Sequence, residues 1–276
     1  MLCFVVGPVR HNLVQGDGVW GVTTLDNVIY VLRRKEMEQI AAYDANSYRL
    51  QKKFSVPGLR CAYGIVACPN YQCLYVSGGY DSCVHRVSLI NDVVTNWPVY
   101  DSFRGLSVTN MHSVLVTCDE VRKIKEFRTG GKLLRQIELP EDVMSPWHTI
   151  QLSSGEFTVC HGDRRNPVHR VCLIDSNGHV VKSYGGAVGT GTQQMNVPYH
   201  LAVDRNGFVF VADVINNRVL LLSPALTFVR EVLSREQLKW SPVCMWLDYD
   251  RYRLYVGVNE WKDNRISAGK VAVVDI

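Results

Sequence analysis

A chain of 276 residues with 47% hydrophobic and 20% charged side chains is large enough for a substantial core and ordinary for a globular protein. No apolar run approaches the roughly eighteen residues of a membrane helix, and Leu2 to Val6 is too short for the core of a signal peptide. A formal net charge of +4 is mild for a dedicated nucleic-acid domain, and nine cysteines without a C-x-x-C pair, mostly inside apolar runs, read as reduced core thiols of a cytoplasmic protein.

Residues 2–13 come first and contain the apolar run Leu2 to Val6. Six segments then open alike, at Trp20-Gly21-Val22, Tyr63-Gly64-Ile65, Arg104-Gly105-Leu106, Trp147-His148-Thr149, Tyr199-His200-Leu201 and Val243-Cys244-Met245. Their central residues follow one another at 43, 41, 43, 52 and 44 residues, an internal repeat of the size of a propeller blade. A second landmark, a basic residue before a β-branched one, recurs at Arg86-Val87, Arg170-Val171 and Arg218-Val219, and its variable offset suggests a longer second hairpin loop in blades two and four. The stretched interval is explained by a Gly-rich insertion over 185–192, expected to be a mobile excursion.

The clearest unit runs from Asn196 to Glu231. Apolar runs at Leu201 to Val203, Val209 to Ala212, Val219 to Leu222 and Thr227 to Val232 are strand-sized, and the turns Asp204-Arg205-Asn206-Gly207 and Asp213 to Asn217 separate the first three. The reading is an all-β, six-bladed β-propeller of four-stranded antiparallel blades in a single domain, 1–276. The blades fall at about 16–60, 61–101, 102–142, 143–186, 195–240 and 241–276. The last blade lacks an outer strand, which residues 2–13 are expected to supply, closing the ring and removing an open edge.

The order P-x-H-L-A-V-D-x-x-G-x-V-x-V-A-D, then N-x-R-V, closely resembles the NHL repeat. That resemblance implies a recognition platform and no reaction of its own. Many NHL domains belong to TRIM-type ubiquitin ligases, where they choose the target, and some bind single-stranded RNA on a positive face.

His148 and His200 hold the same position in neighbouring blades, and two imidazoles at a channel mouth are weak candidates for a metal site or for a hydrolase or lyase centre. No carboxylate completes the set, so the sequence favours a structural role and no metal. His161, Asp163, Arg164 and Arg165 form a polar loop, H-G-D-R-R, read as a contact surface over an acid–base pair. Asp213, Asn217 and Arg218 read as turn-ordering residues. Basic residues cluster at 33–35, 52–53, 122–125 and 164–165, and Trp20, Tyr63, Arg104, Trp147 and Tyr199 stand at the blade entrances, where the aromatics could stack on bases or simply pack. There is no G-x-S-x-G elbow and no phosphate loop. The expectation is a monomeric, non-catalytic module without cofactor that binds a protein partner, with RNA as the alternative.

Overall fold

Short β-rich runs punctuated by Asn, Asp and Gly become 24 strands in the computed structural model, which describes residues 7, 9–14, 18–33, 39–59, 61–263 and 265–276. The first, β1 (Val9–Val14), precedes the repeats. Blade one is β2 (Val19–Leu25), β3 (Val28–Arg33), β4 (Ile40–Asp44) and β5 (Leu50–Phe54). Blade two is β6 (Ala62–Cys68), β7 (Cys73–Gly78), β8 (Cys83–Ser88) and β9 (Val94–Pro98); blade three is β10 (Leu106–Val108), β11 (Val114–Cys118), β12 (Lys123–Phe127) and β13 (Leu133–Glu138). Blade four is β14 (Pro146–Gln151), β15 (Phe157–His161), β16 (Val168–Ile174) and β17 (Val180–Ala187). Blade five is β18 (Pro198–Val203), β19 (Val209–Asp213), β20 (Arg218–Leu222) and β21 (Phe228–Leu233). Blade six is β22 (Ser241–Asp248), β23 (Arg253–Lys262) and β24 (Arg265–Asp275), completed by β1, which lies antiparallel to β24.

Each blade is therefore a four-stranded antiparallel sheet, and the first strand of each is innermost. Inner strands are buried or partly buried throughout, β2 wholly so and β14 and β18 about half, whereas outer strands such as β5 (LQKKF) and β13 (LLRQIE) are mostly exposed and carry Lys, Arg and Gln. The core is divided among six blade-to-blade interfaces. Phe210 and Leu221 of blade five pack on Met245 and Val256 of blade six, and Tyr255 and Val271 of blade six pack on Val22 and Ile29 of blade one. The last interface makes the array a ring.

Ring closure rests on two devices. In the first, β1 pairs with β24 in the register Val9↔Val274 to Val14↔Lys270. The closing strand thus sits at 9–14, and the apolar run at 2–6 lies outside the described residues, as do Cys3, Arg34 and Lys35. In the second, the fully buried Asn259 accepts from the Val19 amide and donates to the Val19 carbonyl, both at 2.8 Å, joining blade six to the innermost strand of blade one.

Two local expectations need correction. The second hairpin loop is longer in blade four, where Arg170 pairs with His161 across residues 162–167, but not in blade two. There Arg86 pairs with Tyr75 deep in the strand, and the position matching Arg218, opposite the residue that faces the start of the inner strand, is Cys83. The Gly-rich segment is also more tied than an excursion. Gly185 and Gly186 belong to β17, and Arg218 donates to the carbonyls of Thr190 (3.0 Å) and Gln194 (2.8 Å). Gly185, at φ 105°, lies so near the His169 carbonyl that a Cβ would come within 2.4 Å of it.

Candidate functional site: an aromatic mouth

The propeller register brings one residue from each blade to one end of the channel. In β2, β14, β18 and β22 the pairing with the second strand skips a residue, leaving Trp20, Trp147, Tyr199 and Val243 as the extra members of β-bulges. Tyr63 occupies a similar irregularity in β6, and Arg104 lies just before β10. A bulge bends the strand and re-aims the unpaired side chain, and here these residues line a single cavity of about 1100 Å³.

The side chains touch around the rim. Trp20 meets Tyr63 edge-on at 6.0 Å, and Trp147 lies against Tyr199 at 4.5 Å with 31° between the rings. Arg104 bridges the two pairs, its guanidinium 4.7 Å from the Tyr63 ring and 5.1 Å from the Trp147 ring. Asp119 orients it by accepting from Nε at 2.8 Å. Burial acts to lower the Arg104 pKa, but the charge and hydrogen bond of Asp119, with smaller contributions from Tyr63 and Tyr199, offset it and the net direction is upward, so the cation is fixed.

Blade six supplies the remaining wall. Its β23–β24 hairpin extends to the pair Lys262↔Arg265 and brings Glu260 and the half-exposed Trp261 to the cavity. Lys239 and Trp240 join them from the segment after α1 (Arg235–Leu238). Four of the six tryptophans of the chain line this cavity. Trp240, Trp261 and Lys239 were not legible as site residues, because they lie outside the repeating register and only the crowding of tryptophans near blade six could have signalled them.

The H-G-D-R-R loop divides. Asp163 and Arg164 line the mouth, while His161 is fully buried at the end of β15, where Arg170 Nε donates to its Nε2 at 3.2 Å. Burial, then the charge of Arg170, lowers its pKa to about 4. Asp163 turns away from it and accepts from the Arg165 amide at 2.8 Å, from Arg165 Nη2 at 2.6 Å and from Ser145 Oγ at 3.2 Å. His161 and Asp163 are not brought together as an acid–base pair.

His148 and His200 lie toward the other end, on a second cavity of about 390 Å³. Their rings stack at 3.9 Å with 18° between planes. The Leu201 amide donates to His148 Nδ1 at 3.3 Å and His148 Nε2 donates to the Leu106 carbonyl at 3.0 Å, so both ring nitrogens are committed to backbone. The Met245 amide donates to His200 Nδ1 at 3.4 Å. Burial holds the His148 pKa at about 4, and burial together with His148 pushes that of His200 well below the usual imidazole value. The neutral pair clasps neighbouring inner strands. Among the described residues, no group of three or more His, Cys, Asp or Glu side chains is placed to share a metal ion.

Asp213 is the hub of blade five. It is fully buried and accepts from the Asn196 amide at 2.7 Å, from Asn216 Nδ2 at 2.7 Å and from Arg218 Nε at 2.8 Å. Asn217, at φ 54°, serves differently, accepting from Ser241 Oγ at 2.8 Å. Asp213→Ala leaves these donors without their acceptor and is expected to cost about 3–5 kcal/mol, measured by urea unfolding at pH 7; a loss below about 1 kcal/mol would show that the network does not hold the blade.

No protein-family model matches the chain, and no curated protein does. Solved structures match it in shape. Virginiamycin B lyase from Staphylococcus aureus superposes with a TM-score of 0.66 at 12% identity, over 96% of this chain and 88% of that one. A streptogramin B lyase gives 0.65 at 12% identity over 95% and 97%, and the Swd1 β-propeller domain from Myceliophteria thermophila gives 0.62 at 11% over 92% and 82%. At such identities the likeness is one of fold. Among the described residues no helix is long and apolar enough to cross a membrane. Six four-stranded blades, closed by pairing of β1 with β24, make this chain a six-bladed β-propeller.

Proposed function

We propose that this propeller is a non-catalytic recognition module of NHL type that seats a protein partner in the aromatic mouth. The observation that carries the reading is the convergence of bulged positions from successive blades, with four of the six tryptophans, on one open cavity. Aromatic and Arg side chains are the residues that dominate protein-binding energy at such centres. The NHL-like signature of blade five supports a role in choosing a target, as in a ubiquitin-ligase-like protein.

Single-stranded RNA is less well supported, because the basic clusters do not join into a track. Lys52 pairs with Asp92 at 2.5 Å, Lys123 with Glu138 at 2.9 Å, Lys125 with Asp101 at 2.5 Å and Arg165 with Asp163 at 2.6 Å, in three different blades.

Proximity crosslinking in cell extract, quantified by mass spectrometry, tests this reading. Trp261→Ala and Arg164→Ala, both at exposed positions, are expected to weaken capture of the same proteins about tenfold. Tyr252→Ala, in the β22–β23 turn and 72% exposed, should leave it unchanged. Equal capture by all three variants would refute the assignment of the mouth.

A further inference from the structure

The charges of the mouth are unevenly satisfied. Its lining holds Arg104, Arg164, Arg165 and Lys239 against Asp163 and Glu260. Both carboxylates are already engaged, Asp163 by Arg165 at 2.6 Å and Glu260 by Lys262 at 3.3 Å and Ser267 Oγ at 2.6 Å, and Arg104 is held by Asp119. Among the described residues neither Arg164 nor Lys239 has an ion-pair partner.

Behind Lys239 stands a second such cation. Lys270 is partly buried, with Nζ 4.9 Å from the Trp240 ring centroid and no carboxylate partner among the described residues. Its pKa is lowered by burial and further by Lys239. Lys270 on the Trp240 ring and Lys239, the residue before that tryptophan, are like charges with no carboxylate partner among the described residues, and an anion placed there gains from both. Arg164 offers a third positive group from the blade-four loop, on the wall of the same cavity.

The occupant that answers this pattern carries separated negative charges and apolar side groups on one extended backbone. We propose that the mouth binds an acidic, extended peptide segment, whose Asp or Glu carboxylates meet Arg164 and Lys239, with the charge of Lys270 behind Trp240 adding to the attraction, while its apolar side chains pack on Trp240 and Trp261. This rests on the reading of the mouth as a protein-binding site and names the chemistry of the partner. A nucleic acid would also supply anions, but its repeating phosphates need a continuous track of cations, and Lys52 on β5 and Lys123 and Lys125 on β12 are already ion-paired.

The test is selection of a random displayed-peptide library on the full chain, followed by fluorescence anisotropy of the enriched peptides. The expected result is enrichment in Asp and Glu, weakening of binding with added salt, and a loss of about tenfold or more in Lys239→Glu and in Lys270→Met. Lys239 has φ 62°, where Glu is no more strained than Lys, and Met preserves the apolar stem of Lys270, so thermal melts should stay close to the parent. Trp261→Ala separates the two layers of the argument. Neutral or basic peptides that lose affinity in Trp261→Ala but not in Lys239→Glu would overturn the acidic partner and leave the protein-binding mouth standing. No enriched peptide, or peptides indifferent to Trp261→Ala, would overturn both. Oligouridylate that binds more tightly than any selected peptide and depends on Lys239 would transfer the site to RNA.

Discussion

Deleting residues 1–14 is expected to lower the melting temperature by roughly 10 °C or more and to make the protein associate as its concentration rises. The reason lies in the kind of strand that β1 covers. Other blades end in an outer strand with polar, exposed residues, Gln51-Lys52-Lys53 in β5 and Arg135-Gln136 in β13. In blade six the strand next to β1 is instead β24, whose Val271, Val273 and Val274 are fully buried. Without β1 this apolar strand becomes an edge with unpaired backbone groups, a template for another chain. Calorimetry and size-exclusion chromatography read the two effects. An unchanged melt and a monomeric profile would show that the ring closes without β1.

Stability should also fall steeply as pH drops from about 6.5 to about 4. His148 and His161 have folded-state pKa values lowered to about 4 by burial, and that of His200 lies well below the usual value. In the unfolded chain each titrates near 6.5. The unfolded state therefore binds more protons across this window, so the contribution of each group is complete above about pH 6.5 and is lost as pH falls toward the folded value. For His148, 3% exposed, and for His161, 0% exposed, the full loss is about 3 kcal/mol each. Asp44, Asp142 and Asp175 are held below the ordinary carboxylate range, so their ion pairs and turns fail at lower pH, whereas burial raises the Asp213 pKa, which acts against the histidine slope. Urea unfolding at several pH values from neutral to about 4.5 measures the slope. His161→Leu should flatten it, and a flat parent curve would mean that the imidazoles are not held neutral.

Blade periodicity was legible because a propeller imposes it. The six entrance tripeptides located the positions that the bulges aim into the mouth, and Trp20, Tyr63, Arg104, Trp147 and Tyr199 do line one cavity with Asp163 and Arg164. His148 and His200 do come together, but as a stacked pair facing the opposite cavity. What spacing could not give is the side of the strand that a bulge exposes: one skipped residue sends Trp147 to one end while its neighbour His148 is turned inward. Trp240 and Trp261 escaped for another reason, since the connection after α1 and the overhang of β23–β24 have no counterpart in the other blades. The closing strand expected within residues 2–13 lies at β1, Val9–Val14, whose sequence V-R-H-N-L-V carries no apolar run to mark its bounds.

The Asn259–Val19 bonds link residues 240 positions apart, and β1 pairs across a still longer stretch of chain. This gives the fold a high contact order at one seam, however local the hairpins within each blade are. On the ribosome, blade one is complete long before its neighbour across the seam exists. Val19, Val22 and Ile29 must therefore wait, uncovered, until β22 to β24 have been made. Folding is expected to proceed by early formation of individual blades followed by a slower annealing of the ring. The nascent chain is then most in need of chaperone protection just before β22 to β24 emerge.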